Sequence, residues 1–325
     1  MKKTLLFIAI ITIFIGCAED TSKRVDLTGS VFGTTYKITY LDSDENFQKQ
    51  LDSLFEITNN SVSTYLPNSI ISQINKDKNV PMDTIFKEVM QKSKRIYNET
   101  DGFFDPTVGS LVNAYGFGPS DSKMNLTQEQ LDSIMPMVGF EKVSMAGDFI
   151  LKQKEGIYLD FNSIAKGFGI DIVARFFDTK GINNYLIEIG GEIRTKGFKG
   201  EGKPWVIQVV NPVDAYNSGG YKKVNLSNKS MATSGNYRKF RVAENGTKYV
   251  HTINPTTGKA EESNLLSASV IGSSDCADVD AYATAIMAMG LEKAKVFLKN
   301  RPDLEVILIY TDEKNELKEY TNLKN

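Results

Sequence analysis

The stretch DCADVDAYATAIMAMG, residues 275–290, restricts the fold more than any other part of the chain. Its Ala, Met and Ile content favours a helix, and Gly290 stands where a left-handed residue would close one. A helix apolar around most of its circumference is a buried helix, so other elements must wrap it. Yet Asp278 and Asp280 fall in its first turns, and a buried carboxylate is costly unless something positive meets it. Asp280 and Thr284 are four residues apart and share a face. Asp278 is roughly 200° away around the helix and is expected to help cap its N-terminus. A carboxylate beside a hydroxyl makes a pair of hard oxygen donors suited to a cation, although a paired Asp next to a Thr bonded to its own helix is the commoner meaning of Asp-x-x-x-Thr.

The rest of the chain is long enough to do the wrapping. At 325 residues, with 41% hydrophobic and 24% charged residues, it has the composition of a globular protein with a large core. A formal charge of −2 and the lack of a strong Lys/Arg run give no pull toward nucleic acid. MKKTLLFIAIITIFIGC has two lysines, a short apolar run and then Gly16-Cys17, the pattern of a secretory signal peptide. A small residue before the cysteine looks like the lipobox of a bacterial lipoprotein. Residues 1–16 are therefore expected to be a signal peptide, with Cys17 lipidated and residues 17–24 forming a polar tether to a domain spanning 25–325. Loss of Lys2 and Lys3 takes the mature charge to 36 − 40 = −4 and leaves Cys276 as the one cysteine besides the lipidated Cys17, so no intrachain disulfide is expected. His251 is the single histidine, which excludes His-rich zinc sites, so any metal would be oxygen-ligated, as Mg²⁺ or Ca²⁺ is.

Periodicity predicts an α+β mixture with no repeat and no clear domain boundary. Residues 25–41 read as a strand pair or one bent strand, and residues 45–58 and 82–99 as amphipathic helices. Thr127 and Gln130 form a capping-box pattern at the head of LTQEQLDSIM. A strand-turn-strand region leads to Asp160, which is expected to end a strand. A helix follows, capped by Asn162 or Ser163, carrying Lys166 in its first turns and closed by Gly181. Gly167 and Gly169 fall inside that helix and Ile172 occupies the third glycine position, so the stretch is not a dinucleotide fingerprint. What remains is chemical: an acid, a cation and the free N–H groups of a helix start. Further on, MATSGNYRKF reads as a ligand loop, and HTINPTTG places His251 beside rigid turn residues. Asp105 precedes Pro106 and is held extended.

Taken in order, VFGTTY, VSTYLPNSIISQIN, TDGFFDPTVGSL, LDFNSIAKGFGID, YLIEIGGEI, MATSGNYRKF, HTINPTTG and VDAYATAIMAMG closely resemble the ApbE family of FAD:protein FMN transferases. The resemblance runs from about Gly29 to Gly290. It implies a single α+β unit, related to the T-fold, with mixed and mainly antiparallel sheets and FAD between its halves. It implies an exported, often lipid-anchored enzyme that uses Mg²⁺ to split the FAD diphosphate. FMN would pass to a Thr or Ser hydroxyl on a membrane redox subunit, and AMP would leave. By motif, Asp280 and Thr284 would bind Mg²⁺ with an oxygen of Ser163, either its carbonyl or its hydroxyl. Asp160 and Lys166 would contact FAD. Tyr65 and Phe103, Phe104 and Asp105 would lie around its rings, with Ile253 giving backbone contacts and His251 helping to deprotonate the acceptor. Phe32 stands where the family commonly has Met, keeping an apolar contact for a ring, and DFNSIAKG replaces the commoner DLGGIAKG. Two other functions fit the same residues: an Mg²⁺-dependent FAD pyrophosphatase and a flavin-binding lipoprotein.

Overall fold

The computed structural model describes residues 23–119, 126–212, 220–236, 240–242, 248–260 and 263–324. The predicted signal peptide and most of the tether, including Cys17, lie outside the described residues. The chain opens with an antiparallel pair, β1 (Val25–Val31) and β2 (Thr34–Tyr40). Phe32 and Gly33 make the turn between them, both with positive φ, which is a strained conformation for a phenylalanine. Helices α1 (Gln48–Val62), α2 (Ile70–Asn75) and α3 (Thr84–Glu99) follow. After a 3-10 turn at Pro106–Val108 come α4 (Gly109–Ala114) and α5 (Gln128–Ile134). The expected capping box of α5 is present in both directions between Thr127 and Gln130. A hairpin, β3 (Val143–Ala146) and β4 (Phe149–Lys152), leads toward α6 (Ala165–Thr179), and Gly181 turns the chain out of that helix at φ +71°.

Most of the remaining strands build the sheets. They are β5 (Tyr185–Ile189), β6 (Glu192–Lys196), β7 (Trp205–Val210), β8 (Gly220–Leu226) and β9 (Ser230–Gly235), then the short β10 (Phe240–Val242) and β11 (Lys248–Val250) and the long β12 (Leu265–Gly272). Helices α7 (Cys276–Met289) and α8 (Leu291–Lys299) precede β13 (Glu305–Thr311) and β14 (Leu317–Thr321). The main sheet has the order β1-β2-β5-β6-β9-β12-β13-β14, and every pairing in it is antiparallel. The β7–β8, β3–β4 and β10–β11 pairs form three separate ribbons.

Alternation along the strands gives the main sheet two different faces. Tyr36, Ile38, Tyr185, Ile187, Ala268 and Val270 point into the large core shared with the helices. Ile193, Met231, Ile271, Ile307 and Ile309 point the other way and pack under Ile207, Val209, Val224 and Leu226 of the β7–β8 ribbon. Helix α7 lies in the middle of the large core: Cys276, Ala277, Val279, Ala281, Ala283, Ala285 and Ile286 are all fully buried. Gly290, at φ +72°, ends it as expected. A smaller cluster of Leu111, Tyr115, Leu131, Val138, Ile253 and Ala260 holds α4 and α5 against the residues after β11.

Candidate active site

Helices α6 and α7 approach each other closely because Gly167 has no side chain. A Cβ there would meet the Cys276 carbonyl oxygen at 2.5 Å and the Ala277 Cα at 2.7 Å. At this contact the helices complete each other's N-termini. The Asp280 carboxylate, on α7, accepts the Gly167 N–H at 3.1 Å. The Asp171 carboxylate, on α6, accepts the Cys276 and Ala277 N–H groups at 2.8 and 2.9 Å. Helix starts leave donors unsatisfied, and each helix supplies the acceptor its partner needs. The expectation that Asn162 or Ser163 caps α6 is therefore corrected: Ile164 is the N-cap and bonds through no side chain, while Ser163 sits half-buried in the preceding turn.

Asp280 is 2% exposed, and the positive charge that meets it is Lys166. The Lys166 ammonium lies 3.2 Å from Glu192 Oε1 and 3.8 Å from Asp280 Oδ2. Burial alone would lower the Lys166 pKa, but the two carboxylates outweigh it and the pKa is raised. Burial pushes the Asp280 carboxyl up, against the pull of Lys166 and of the Gly167 N–H. Burial also takes Glu192 to about 7, with Lys166 opposing. Glu192 is 4% exposed, and its Oε2 has no hydrogen-bond partner, a buried acceptor open to a cation or a donor from a ligand. Thr284, one turn along α7, places Oγ1 3.3 Å from Ser234 Oγ on β9.

Asp278 faces elsewhere, as its position on the helix requires, but it does not cap α7. It pairs with Arg95 at 2.6 Å and with Lys92 at 3.5 Å. Lys92 also holds Asp275, which Arg194 joins to the buried Asp171. The two aspartates of α7 thus meet separate cations on opposite sides.

Asp160 does not end a strand. It lies in an extended segment fixed by other chain: its N–H donates to the Pro106 carbonyl at 2.7 Å, and the side chain of Asn75 bonds both backbone groups of Leu159. The Asp160 carboxylate accepts the Asn162 N–H at 2.7 Å, and burial raises its pKa. Tyr65, 56% exposed, lies close enough to Asp160 and Tyr158 for their charges to add to the effect of burial in raising its phenol pKa. Gly109, the first residue of α4, abuts this segment, since a Cβ there would lie 3.1 Å from the Asp160 Cβ. The far end of α4 reaches the NPTTG loop, where Tyr115 donates to the Gly258 carbonyl at 3.2 Å. Asn254 fixes that loop by accepting from Thr256 N and Oγ1. His251 is half-buried at its start, and Ile253 is buried in the cluster with Leu111 and Leu131.

Other predicted ring contacts sit differently. Phe104 is 1% exposed and belongs to the large core, so its ring is enclosed by the protein itself. Phe103 is partly buried, with the Lys293 ammonium 4.9 Å from its ring centre. Asp105 turns inward to accept from Thr107 N and Oγ1 and from Phe140 N, and burial raises its pKa to about 6. Phe32 packs edge-on against Phe55 and covers Gly169 of α6. MATSG is strand β9 and not a loop, although it brings Ser234 to Thr284.

Sequence reasoning missed Glu192, Asp171, Arg194 and Ser234. One signal was available for Glu192, a charged residue directly after Gly190-Gly191 in an otherwise inward-reading strand. Among the described residues no three His, Cys, Asp or Glu side chains gather into a metal cage. The oxygen donors in this region are the Asp280 carboxylate, the Thr284 hydroxyl one turn along the same helix face and the unpartnered Glu192 Oε2, hard donors of the kind that suit a cation keeping its other positions for phosphate and water.

Fold and site together define an antiparallel α+β protein in which a buried ammonium, two buried carboxylates and a nearby hydroxyl lie where the start of one helix crosses the flank of another. The chain belongs to the ApbE family, whose model matches residues 32–308. It is 33% identical to an FAD:protein FMN transferase of Vibrio cholerae over 99% of this chain and 97% of that one. Its structure is similar to that of the flavin transferase ApbE from Vibrio cholerae, with a TM-score of 0.82 covering 93% of this chain and 97% of that chain at 32% identity. It is also similar to the apo form of the Pseudomonas stutzeri flavinyl transferase ApbE, with a TM-score of 0.83 over 93% and 95% of the two chains at 26% identity.

Proposed function

We propose that this chain transfers FMN from FAD to a Thr or Ser hydroxyl of an acceptor protein, with Mg²⁺ at Asp280, Thr284 and an oxygen of Ser163. The observation that carries the reading is the Lys166–Glu192–Asp280 cluster at the start of α6, with an open carboxylate oxygen and a neighbouring hydroxyl. Bound there, Mg²⁺ would supply charge neutralisation for the diphosphate oxygens. Lys166 adds a fixed ammonium for the same oxygens, and Tyr65 and Asp160 border the space for the remainder of FAD. The acceptor oxygen bonds to the FMN phosphorus, the bond from that phosphorus to the AMP oxygen breaks, and AMP leaves with the electron pair. A hydroxyl is a poor nucleophile, and His251, the only imidazole in the chain, takes its proton. The acceptor is a subunit of a membrane redox complex. The enzyme itself is exported and held at a bacterial membrane through a lipidated Cys17, facing the periplasm or the cell exterior.

The test is incubation of purified protein with FAD, Mg²⁺ and an acceptor domain, followed by intact mass and in-gel flavin fluorescence. Wild type is expected to add one FMN to the acceptor and release AMP. His251→Ala is expected to keep FAD affinity but transfer 10²–10⁴-fold more slowly, the range for losing a general base. Asp280→Ala is expected to abolish turnover. Asp278→Ala is expected to retain it and to lose about 1–3 kcal/mol of stability, through its lost partnership with Arg95. Equal loss in the two Asp variants removes the assignment of the cation to Asp280. Release of AMP and free FMN at the same rate with and without acceptor makes the protein a pyrophosphatase, and intact FAD with no product makes it a binding protein.

A further inference from the structure

The outer face of the main sheet is only partly covered. The β7–β8 ribbon lies over β6, β9, β12 and β13, and β2 and β5 are left beside it. There a cleft of about 630 Å³ is floored by Thr35, Lys37, Leu186 and Glu188 and walled by all six residues of β7. Strand β7 pairs with β8 on one edge only, so among the described residues its other edge has no strand beside it. A single exposed edge next to an uncovered strip of a larger sheet is an incomplete second layer. One more strand alongside β7 would complete it, at the 4.7–4.9 Å spacing of paired strands and about 10 Å above the sheet below.

We propose that an extended, acidic segment of the acceptor protein occupies this cleft as a third strand on β7. The inference rests on the transferase reading, which requires a polypeptide to dock, and backbone N–H and C=O groups along a free edge recognise another backbone. Three observations select this face. Lys37 and Lys199 line the cleft against the single acidic lining residue Glu188, while Arg24 there is paired with Asp26, so the two lysines leave a positive excess that complements an acidic segment. Val206 is 51% exposed on β7, leaving an apolar contact for an alternate side chain of the added strand. At one end the cleft also reaches chain that carries active-site residues on the opposite face of the sheet. Thr34, Gly190, Gly191 and Thr233 line it, Glu192 follows Gly191, and Ser234 beside Thr233 touches Thr284. A segment of six residues along β7 spans about 20 Å and leaves the cleft at that end, where its next residues can turn toward the site.

The experiment measures flavin transfer to the soluble domain of a redox subunit that wild type labels, with Lys37→Glu, Lys199→Glu and the double variant. Both lysines are exposed, so the fold is expected to be unaffected. The double variant is expected to raise KM for the acceptor at least 10-fold, with kcat and FAD affinity unchanged. A photo-crosslinker at position 206 is expected to capture an acceptor peptide close in sequence to the flavinylated residue. An unchanged KM in the double variant, or capture only of remote acceptor surface, overturns the docking proposal and leaves the transferase intact. Failure of wild type to label any acceptor instead overturns the transferase reading on which the proposal rests.

Discussion

Gly167→Ala tests whether the active site depends on the close approach of α6 and α7. On helix propensity alone, alanine inside a helix stabilises by about 1 kcal/mol relative to glycine. The structure opposes this, because the new Cβ would lie 2.5 Å from the Cys276 carbonyl oxygen, 2.6 Å from its carbon and 2.7 Å from the Ala277 Cα. An ordinary contact begins near 3.4 Å, so the helices must separate by about 3.4 − 2.5 = 0.9 Å. All three atoms are backbone, and no rotamer change can relieve them. Overpacking costs of about 1–3 kcal/mol would be at the top of their range here, and less the propensity gain of about 1 kcal/mol they give a net loss of about 2 kcal/mol. The same displacement lengthens the bond from Gly167 N–H to Asp280 and moves Asp280 away from Lys166. Misplacement of that size can cost about 10²-fold in rate. Gly169→Ala is the control for stability, since the nearest atoms its Cβ would meet all belong to the ring of Phe32, a side chain that can move. Urea unfolding and flavin-transfer rates are measured for both variants. A Gly167→Ala protein more stable than wild type with normal turnover would falsify the argument that this contact sets the site.

Two further predictions concern other parts of the chain. Burial raises Asp105 from 3.8 to about 6, so its folded pKa lies above its unfolded one and the native state holds the proton more tightly. The associated stability, roughly 3 kcal/mol for a rise of this size, is present below pH 4 and lost as pH rises through 6. Unfolding free energies of Asp105→Asn relative to wild type should therefore shift in the variant's favour between pH 4 and pH 7, and a constant difference would contradict this sign. Cys17→Ser should abolish metabolic palmitate labelling and membrane retention, whereas equal labelling of both proteins would rule out the lipid anchor.

Much of the site's local chemistry was legible because it depends on short spacings. Asp280 and Thr284 are one turn apart, so a helix of any orientation puts them on one face while turning Asp278 away, as the Arg95 pairing shows. The capping box at Thr127 and Gln130 is equally local and formed as read. Errors arose where a local pattern was overruled from a distance. Asn162 and Ser163 have the chemistry of N-caps, but Asp280, more than a hundred residues later, accepts the Gly167 N–H. Asp160 looked like a strand end, but Pro106 and Asn75 satisfy that backbone and no strand forms. MATSG reads as a loop from its small polar residues, yet it pairs between β6 and β9's other neighbour, β12.

By itself the sequence determined that the helix from Cys276 to Met289 must be buried, that its carboxylates need partners, and that the chain belongs among α+β folds. Periodicity and composition are properties of neighbours along the chain, and those requirements follow from them. Only the tertiary structure decided which partners arrive: Lys166, shared with Glu192, for Asp280, Arg95 and Lys92 for Asp278, Asp171 for the first donors of α7. It also decided that, among the described residues, β7 has a strand on one side only, beside a charged cleft. These pairings join residues up to 186 positions apart, as Lys92 and Asp278 are. A buried charge specifies that a counter-charge must come, and the packing of helices on the sheet fixes which residue can reach it.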